Sequence, residues 1–181
     1  EPPFRHLVKP GVPIPAQASR IHGITDDDVR EAQAFAEIIA PFERFIGDSV
    51  LVGHTIGFDL AVMDKEYARA GTTLHVPPSL DVRALARIAA PDLAGYSLET
   101  LCNWLDIEIA RRHSALHDAE AAAKIYVKLV PLLRDRGVRT LAEAEAAISL
   151  LPGEERLHRI SGWISPVRAI ASDVASAVAA I

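Results

Sequence analysis

The chain has 181 residues, of which 50% are hydrophobic and 24% charged, a balance that supports a folded core and excludes a disordered polymer. Its formal net charge of −5 excludes a protein that grips nucleic acid mainly by covering many phosphates with lysine and arginine. It leaves open a nuclease in which divalent cations meet the phosphate, and no apolar run approaches the ~20 residues of a membrane span.

The length fits one domain with a terminal extension. The single cysteine, Cys102, cannot form an intramolecular disulfide, which fits a reducing cytoplasm.

In chain order, residues 4–9 read as a strand, ended by Pro10-Gly11 and a loop broken by Pro13 and Pro15. Thr25, followed by three aspartates, reads as a helix start, because a hydroxyl can cap and acids favour the positive end of the dipole. Phe35, Ile38, Ile39, Phe42 and Ile46 recur at helical spacing, with Pro41 expected to kink or break the helix. Val50-Leu51-Val52 reads as a buried strand. A helix is expected over 58–69, stopped near Gly71, then a strand over 79–82 and a helix through Leu85 and Ile88.

Ser97 is expected to open a short helix, and 115–136 the longest one, closed by Gly137. Thr140 and Glu143 have capping-box spacing, so a further helix is expected to Leu150. Pro152-Gly153 marks a boundary, beyond which Val167, Ile170, Val174, Val178 and Ile181 share one helical face suited to docking. Short strands alternating with longer helices predict an α/β layer architecture.

Three segments hold residues suited to chemistry. In Gly53-His54-Thr55-Ile56-Gly57-Phe58-Asp59, Asp59 falls in the first turn after a strand, where α/β proteins place ligands, and a carboxylate there suits Mg²⁺. In His113-Ser114-Ala115-Leu116-His117-Asp118, a loop histidine precedes a carboxylate inside the next helix; an imidazole titrating near neutrality suits proton abstraction from water. In Arg20-Ile21-His22-Gly23-Ile24-Thr25, Gly23 allows a close backbone approach and His22 could meet a nucleotide. Singly, each has a plainer role: Asp59 as dipole compensation, His113 as a surface imidazole beside Arg111 and Arg112, His22 as part of a turn. His117 is expected to face solvent or to support the site from behind. Arg111, Arg112, Lys124 and Lys128 could assist with substrate backbone or simply be solvated.

Together, and in this order and relative spacing, the three segments resemble the DEDDh 3′–5′ exonucleases, in particular the branch of the proofreading subunit of bacterial DNA polymerase III. Residues 79–87 and 96–101 extend the likeness, which covers about 4–136. The resemblance implies an RNase H-like mixed sheet flanked by helices, an exonuclease domain over 1–136 and a helical extension over 137–181. It implies that Asp59 and Asp118 are metal ligands, that His113 is the general base, and that His22, His54 and Phe58 lie near the terminal nucleotide. It further implies two divalent cations, Mg²⁺ or Mn²⁺, and removal of nucleoside monophosphates from single-stranded 3′ ends of DNA, with RNA trimming as the alternative within the family. A DNA polymerase subunit or a second copy is the partner expected at the C-terminal helix.

The family's first motif, Asp-x-Glu on its first strand, has no counterpart ahead of Phe4, and Asp106-Ile107-Glu108 falls between the later motifs, as a coincidence of surface acids. The sequence is therefore read as an incomplete portion of a longer protein, with a clipped chain or a noncatalytic binding module as alternatives. Two of the four acids are without counterparts, so the 181-residue chain alone is expected to show little or no nuclease activity.

Overall fold

The computed structural model describes residues 2–108 and 114–153. Their elements run α1 (Ala16–His22), α2 (Phe35–Ile46), β1 (Leu51–Gly53), α3 (Ile56–Arg69), β2 (Ser79–Asp81), α4 (Val82–Ala89), α5 (Leu98–Trp104), α6 (Ala115–Asp135) and α7 (Leu141–Ser149). The architecture is α/β, and the sheet among the described residues is a parallel pair. Leu51 stands opposite Ser79, Val52 opposite Leu80 and Gly53 opposite Asp81. Parallel strands require a crossover, supplied here by α3.

One core holds β2, α4, α5, α6 and α7 together. Leu80 of β2, Val82, Leu85 and Ala86 of α4, Leu101 and Cys102 of α5, and Ala121, Ile125, Leu129 and Leu133 of α6 are all buried in it. The buried positions of α6 recur every four residues from Ala121, forming one stripe, and the small Ala121 and Ala122 let α4 approach closely. Ala144 of α7 belongs to the same core, with Leu141 and Ile148 packed against it. A second packing contact joins α2 to α3, where the Phe35 and Tyr67 rings meet edge to face at 5.7 Å. Burial, and then the neighbouring Glu43 carboxylate, push the Tyr67 phenol up to about 12.

Helix ends follow local chemistry where the sequence carries it. Ser97 Oγ accepts from the Thr100 N–H at 3.1 Å. Thr140 Oγ1 accepts from the Glu143 N–H at 3.2 Å while the Glu143 carboxylate accepts from the Thr140 N–H at 2.9 Å, a reciprocal capping box.

Three expectations need correcting. Residues 4–9 do not form a strand; they make one parallel bridge, Val8 to Gln33, with the Lys9 N–H donating to the Gln33 carbonyl at 2.9 Å. No other described segment pairs along that stretch, so no ladder propagates, and Phe4 instead stacks its ring on His6, Phe42 and Phe45. The helix expected at Thr25 is a turn, because the Thr25 N–H and hydroxyl both close onto the Asp28 carboxylate at 2.7 Å and compete with a helical ladder. The helix lies earlier, as α1, entered from Pro15 and ended by Gly23 at φ 75°. A proline just ahead of the first turn removes only a donor that a helix leaves unsatisfied anyway. Pro41 likewise leaves α2 unbroken; the face carrying Phe35 and buried Ile38 outweighs one missing bond.

The C-terminal stripe from Val167 to Ile181 lies outside the described residues. No helix among the described residues is long and apolar enough to cross a membrane.

Leu85→Ala, which empties a fully buried position, is expected to lower the unfolding free energy by about 2–5 kcal/mol. Thr140→Ala, which removes only a cap, is expected to lower it by about 1 kcal/mol. Urea unfolding of both variants checks the ordering; equal losses would contradict the core assigned here.

Candidate active site

The turn from β1 into α3 builds one wall of the site. Gly53 ends β1, and a Cβ there would come within 3.1 Å of the Ile56 side chain, so glycine is what lets Ile56 tuck back against the strand end. Thr55 then takes a left-handed conformation, φ 60° and ψ 41°, as the cap of α3. A β-branched residue pays a steric penalty there and needs outside support. Support comes from Asp81, whose Oδ1 accepts the Thr55 N–H at 2.9 Å. The same oxygen accepts the Arg83 N–H at 2.9 Å and so caps α4. Phe58 then donates its N–H to the Thr55 carbonyl at 3.0 Å, and Asp59 falls in the first turn of α3.

His54 is tied down from the other side. Its Nε2 lies 2.8 Å from the Tyr96 carbonyl, which can only accept, so the ring proton sits on Nε2 and Nδ1 is left toward the Thr55 hydroxyl at 3.4 Å. Tyr96 is anchored in turn, its hydroxyl within 2.9 Å of the Ala90 carbonyl and 2.8 Å of that of Pro91.

A cleft of about 830 Å³ opens between β1, α3 and the start of α6. It brings together His54, Phe58, Asp59 and Asp118, residues far apart in sequence, against apolar walls from Leu51, Val52, Met63 and Ala122. Asp118 enters from the first turn of α6, where its N–H donates to the Ser114 carbonyl at 2.9 Å. Phe58 is 62% exposed at the cleft, an aromatic face left uncovered. His22 is not among the lining residues; it ends α1, and its Nδ1 accepts the Ile24 N–H at 3.1 Å. His113 lies outside the described residues.

Asp59 is reached by solvent, yet its carboxyl is held above the ordinary aspartate value of 3.8. Lost hydration in the concave wall is the main cause, with the negative charge of Asp81 adding to it; a hydrogen bond to its own backbone N–H and nearby His54 act in the opposite sense. Asp59 and Asp118 are hard oxygen donors of the kind Mg²⁺ and Mn²⁺ prefer. Among the described residues no three His, Cys, Asp or Glu side chains gather to hold a metal.

Other sequence candidates lie elsewhere. Asp106, Glu108, His117 and Lys124 line a separate hollow of about 740 Å³ beside α5. Asp106 and Glu108 do not line the Asp59 cleft. His117, expected to face solvent or back the site, has a buried Nδ1 with no hydrogen-bond partner among the described residues. Lys128 donates to the carbonyls of Leu105 and Asp106, closing the C-terminal end of α5 rather than reaching toward a substrate. Asp81 was missed because an aspartate ahead of a helix reads as that helix's own cap; its reach to Thr55 needs the strand register.

The sheet rim thus belongs to an α/β domain that carries two carboxylates, at the starts of two helices, on one cleft. Residues 1–126 match the RNase T exonuclease family, and the chain belongs to it. It resembles the epsilon proofreading subunit of DNA polymerase III. An epsilon-like protein of DNA polymerase III from Rhodobacter capsulatus is 37% identical over 139 residues, 76% of this chain and 20% of that protein. PolC-type DNA polymerase III of Bacillus cereus is 32% identical over 134 residues, 74% of this chain and 9% of the polymerase. That of Bacillus subtilis is 30% identical over 137 residues, 75% and 10%. The chain thus spans about a tenth of the PolC-type relatives and a fifth of the epsilon-like one.

Because the Asp59 carboxyl is raised in the folded state, its ionised form opposes folding at pH values above that raised value, and the penalty fades as the pH falls through it toward 3.8. Asp59→Asn is therefore expected to melt higher than the parent chain at pH 7, with the two melting temperatures converging in acid. Calorimetry across that pH range checks it; a variant that melts lower at pH 7 would contradict the assignment.

Proposed function

We propose that the cleft is the hydrolytic centre of a metal-dependent 3′–5′ exonuclease that removes nucleoside monophosphates from 3′ ends of DNA, in the manner of a proofreading nuclease. One observation carries the reading: Asp59 and Asp118, 59 positions apart in a chain matched to an exonuclease family, line the same cleft. DNA as substrate is supported by the relatives, which are DNA polymerase III proteins. The parallel β1–β2 pair flanked by α3 and α6 supports an RNase H-like arrangement.

Asp59 and Asp118 would hold the divalent cations, and an underhydrated Asp59 carboxylate with Asp81 nearby gains from a positive charge beside it. Bound there, such cations supply a lowered pKa for the attacking water and an offset for charge on the departing 3′ oxygen. His113 is assigned as the acceptor of the water's proton, a role suited to a group that titrates near neutrality. Phe58 offers an open ring face on which the terminal base can stack, a sequence-tolerant contact that suits a frayed single-stranded end. His54, its ring orientation held by the Tyr96 carbonyl, serves as a fixed wall of the substrate channel and not as a base.

The exonuclease domain is assigned to 1–136 and the extension to 137–181, the latter as the attachment for a DNA polymerase subunit or a second copy. α7 ties the first part of that extension to the domain through Ala144.

Millimolar Mn²⁺ is expected to broaden the backbone amide resonances near Asp59 and near Asp118 together, and Asp59→Asn to abolish both effects. In the intact gene product, Asp59→Asn and Asp118→Asn are each expected to lower turnover of a 3′-terminal DNA oligomer at least about 100-fold, and His113→Ala by about 10²–10⁴-fold. The 181-residue chain alone, with two of the four family acids matched, is expected to turn over at or near background. Matched DNA and RNA oligomers separate proofreading from RNA trimming; unaltered turnover in Asp59→Asn would sink the reading, and binding without turnover in the intact product would favour a noncatalytic module.

A further inference from the structure

Asp81 connects two helix starts and one strand end in a way that a cap alone does not require. Its single Oδ1 accepts the Thr55 N–H at 2.9 Å and the Arg83 N–H at 2.9 Å. The Arg83 bond is an ordinary helix cap, two residues away. The Thr55 bond spans 26 residues of sequence and ends on a left-handed threonine, a conformation a β-branched side chain does not hold unaided. The two strands meet with Gly53 opposite Asp81, which brings the carboxylate within reach of that turn. Four residues beyond Thr55, in the first turn of the helix that Thr55 starts, stands Asp59.

We propose that Asp81 is a positioning residue for the site: by holding Thr55 left-handed it sets the start of α3 and thereby the place of the Asp59 carboxylate in the cleft. Asp81 touches neither substrate nor cation in this role. It is an acceptor for two backbone N–H groups, so the function needs an oxygen at Oδ1 and not the negative charge itself. The part of this proposal that concerns cation binding rests on the reading of Asp59 as a metal ligand; the part that concerns the turn does not.

Two substitutions separate reach from charge. Asp81→Asn keeps an amide oxygen where Oδ1 lies, and so keeps both bonds. Asp81→Ser keeps a good cap for α4 but, one bond shorter, cannot span to Thr55. In Asp81→Ser the Thr55 amide is expected to exchange with solvent at least about tenfold faster than in the parent chain, as for a lost part-buried hydrogen bond. In the same variant, Mn²⁺ broadening at residues 57–60 and near Asp118 is expected to fall together. Asp81→Asn is expected to restore the parent exchange rate at Thr55, and to bring Mn²⁺ broadening at 57–60 back above its level in Asp81→Ser. A third check uses Thr55→Gly in the Asp81→Ser background, since glycine adopts the left-handed conformation without support; partial recovery of broadening at 57–60 is expected.

Parent-like exchange at Thr55 in Asp81→Ser would overturn the proposal, as would failure of Asp81→Asn to restore it. If the parent chain itself shows no selective Mn²⁺ broadening, the cation reading of Asp59 fails, and the exchange rates at Thr55 in the two variants still decide whether Asp81 holds the turn.

Discussion

Parallel strands cannot be joined by a tight turn, so the register that sets Gly53 opposite Asp81 must be closed over α3 and its flanking loops. That register is the constraint on which the cleft depends. It places the end of β1 and the start of α4 side by side, and the chain leaving β1 must turn sharply before it can enter α3. The turn is feasible because position 53 lacks a Cβ that would meet Ile56, and because a strained Thr55 finds an acceptor on the neighbouring strand. Strain at Thr55 is therefore a product of tertiary structure, sustained only while the two strands are paired.

The second wall has a different origin. α6 is held by a long apolar stripe against α4 and α5, and its N-terminal turn is carried to the rim of β1 as a consequence of that packing. Asp118 is thus positioned by burial of residues one turn and more beyond it, from Ala121 onward. Two independent forces meet at the cleft: hydrogen bonding and backbone geometry on the α3 side, core packing on the α6 side. A carboxylate delivered by each ends in a half-apolar hollow, where ionisation of Asp59 is opposed.

Legibility in the sequence tracks how local the governing physics is. The helices from α3 onward were readable because each carries a periodic apolar face, with local caps at Ser97 for α5 and at Thr140 and Glu143 for α7. Where a decision depended on a partner elsewhere, reading failed. Residues 4–9 have strand-like composition, but pairing along them stops at Val8 and Gln33. Thr25 and its following acids have the composition of a helix start, yet the Asp28 carboxylate closes a local turn instead. Prolines 13 and 15 signalled a loop and hid α1, since a proline ahead of a first turn and a proline in a loop look alike in one dimension.

The sequence by itself determined an acidic α/β chain, the three motif segments and their order, and the helix-start positions of Asp59 and Asp118, because each follows from short-range propensity or from spacing. Only the tertiary structure decided that His54, Phe58, Asp59 and Asp118 line one hollow that His22 does not line, and that Asp106, Glu108 and His117 line another. It alone brought Asp81 to Thr55. The physical reason is distance along the chain: strand register and core packing bring together groups tens of residues apart, and no local pattern encodes which of them will meet.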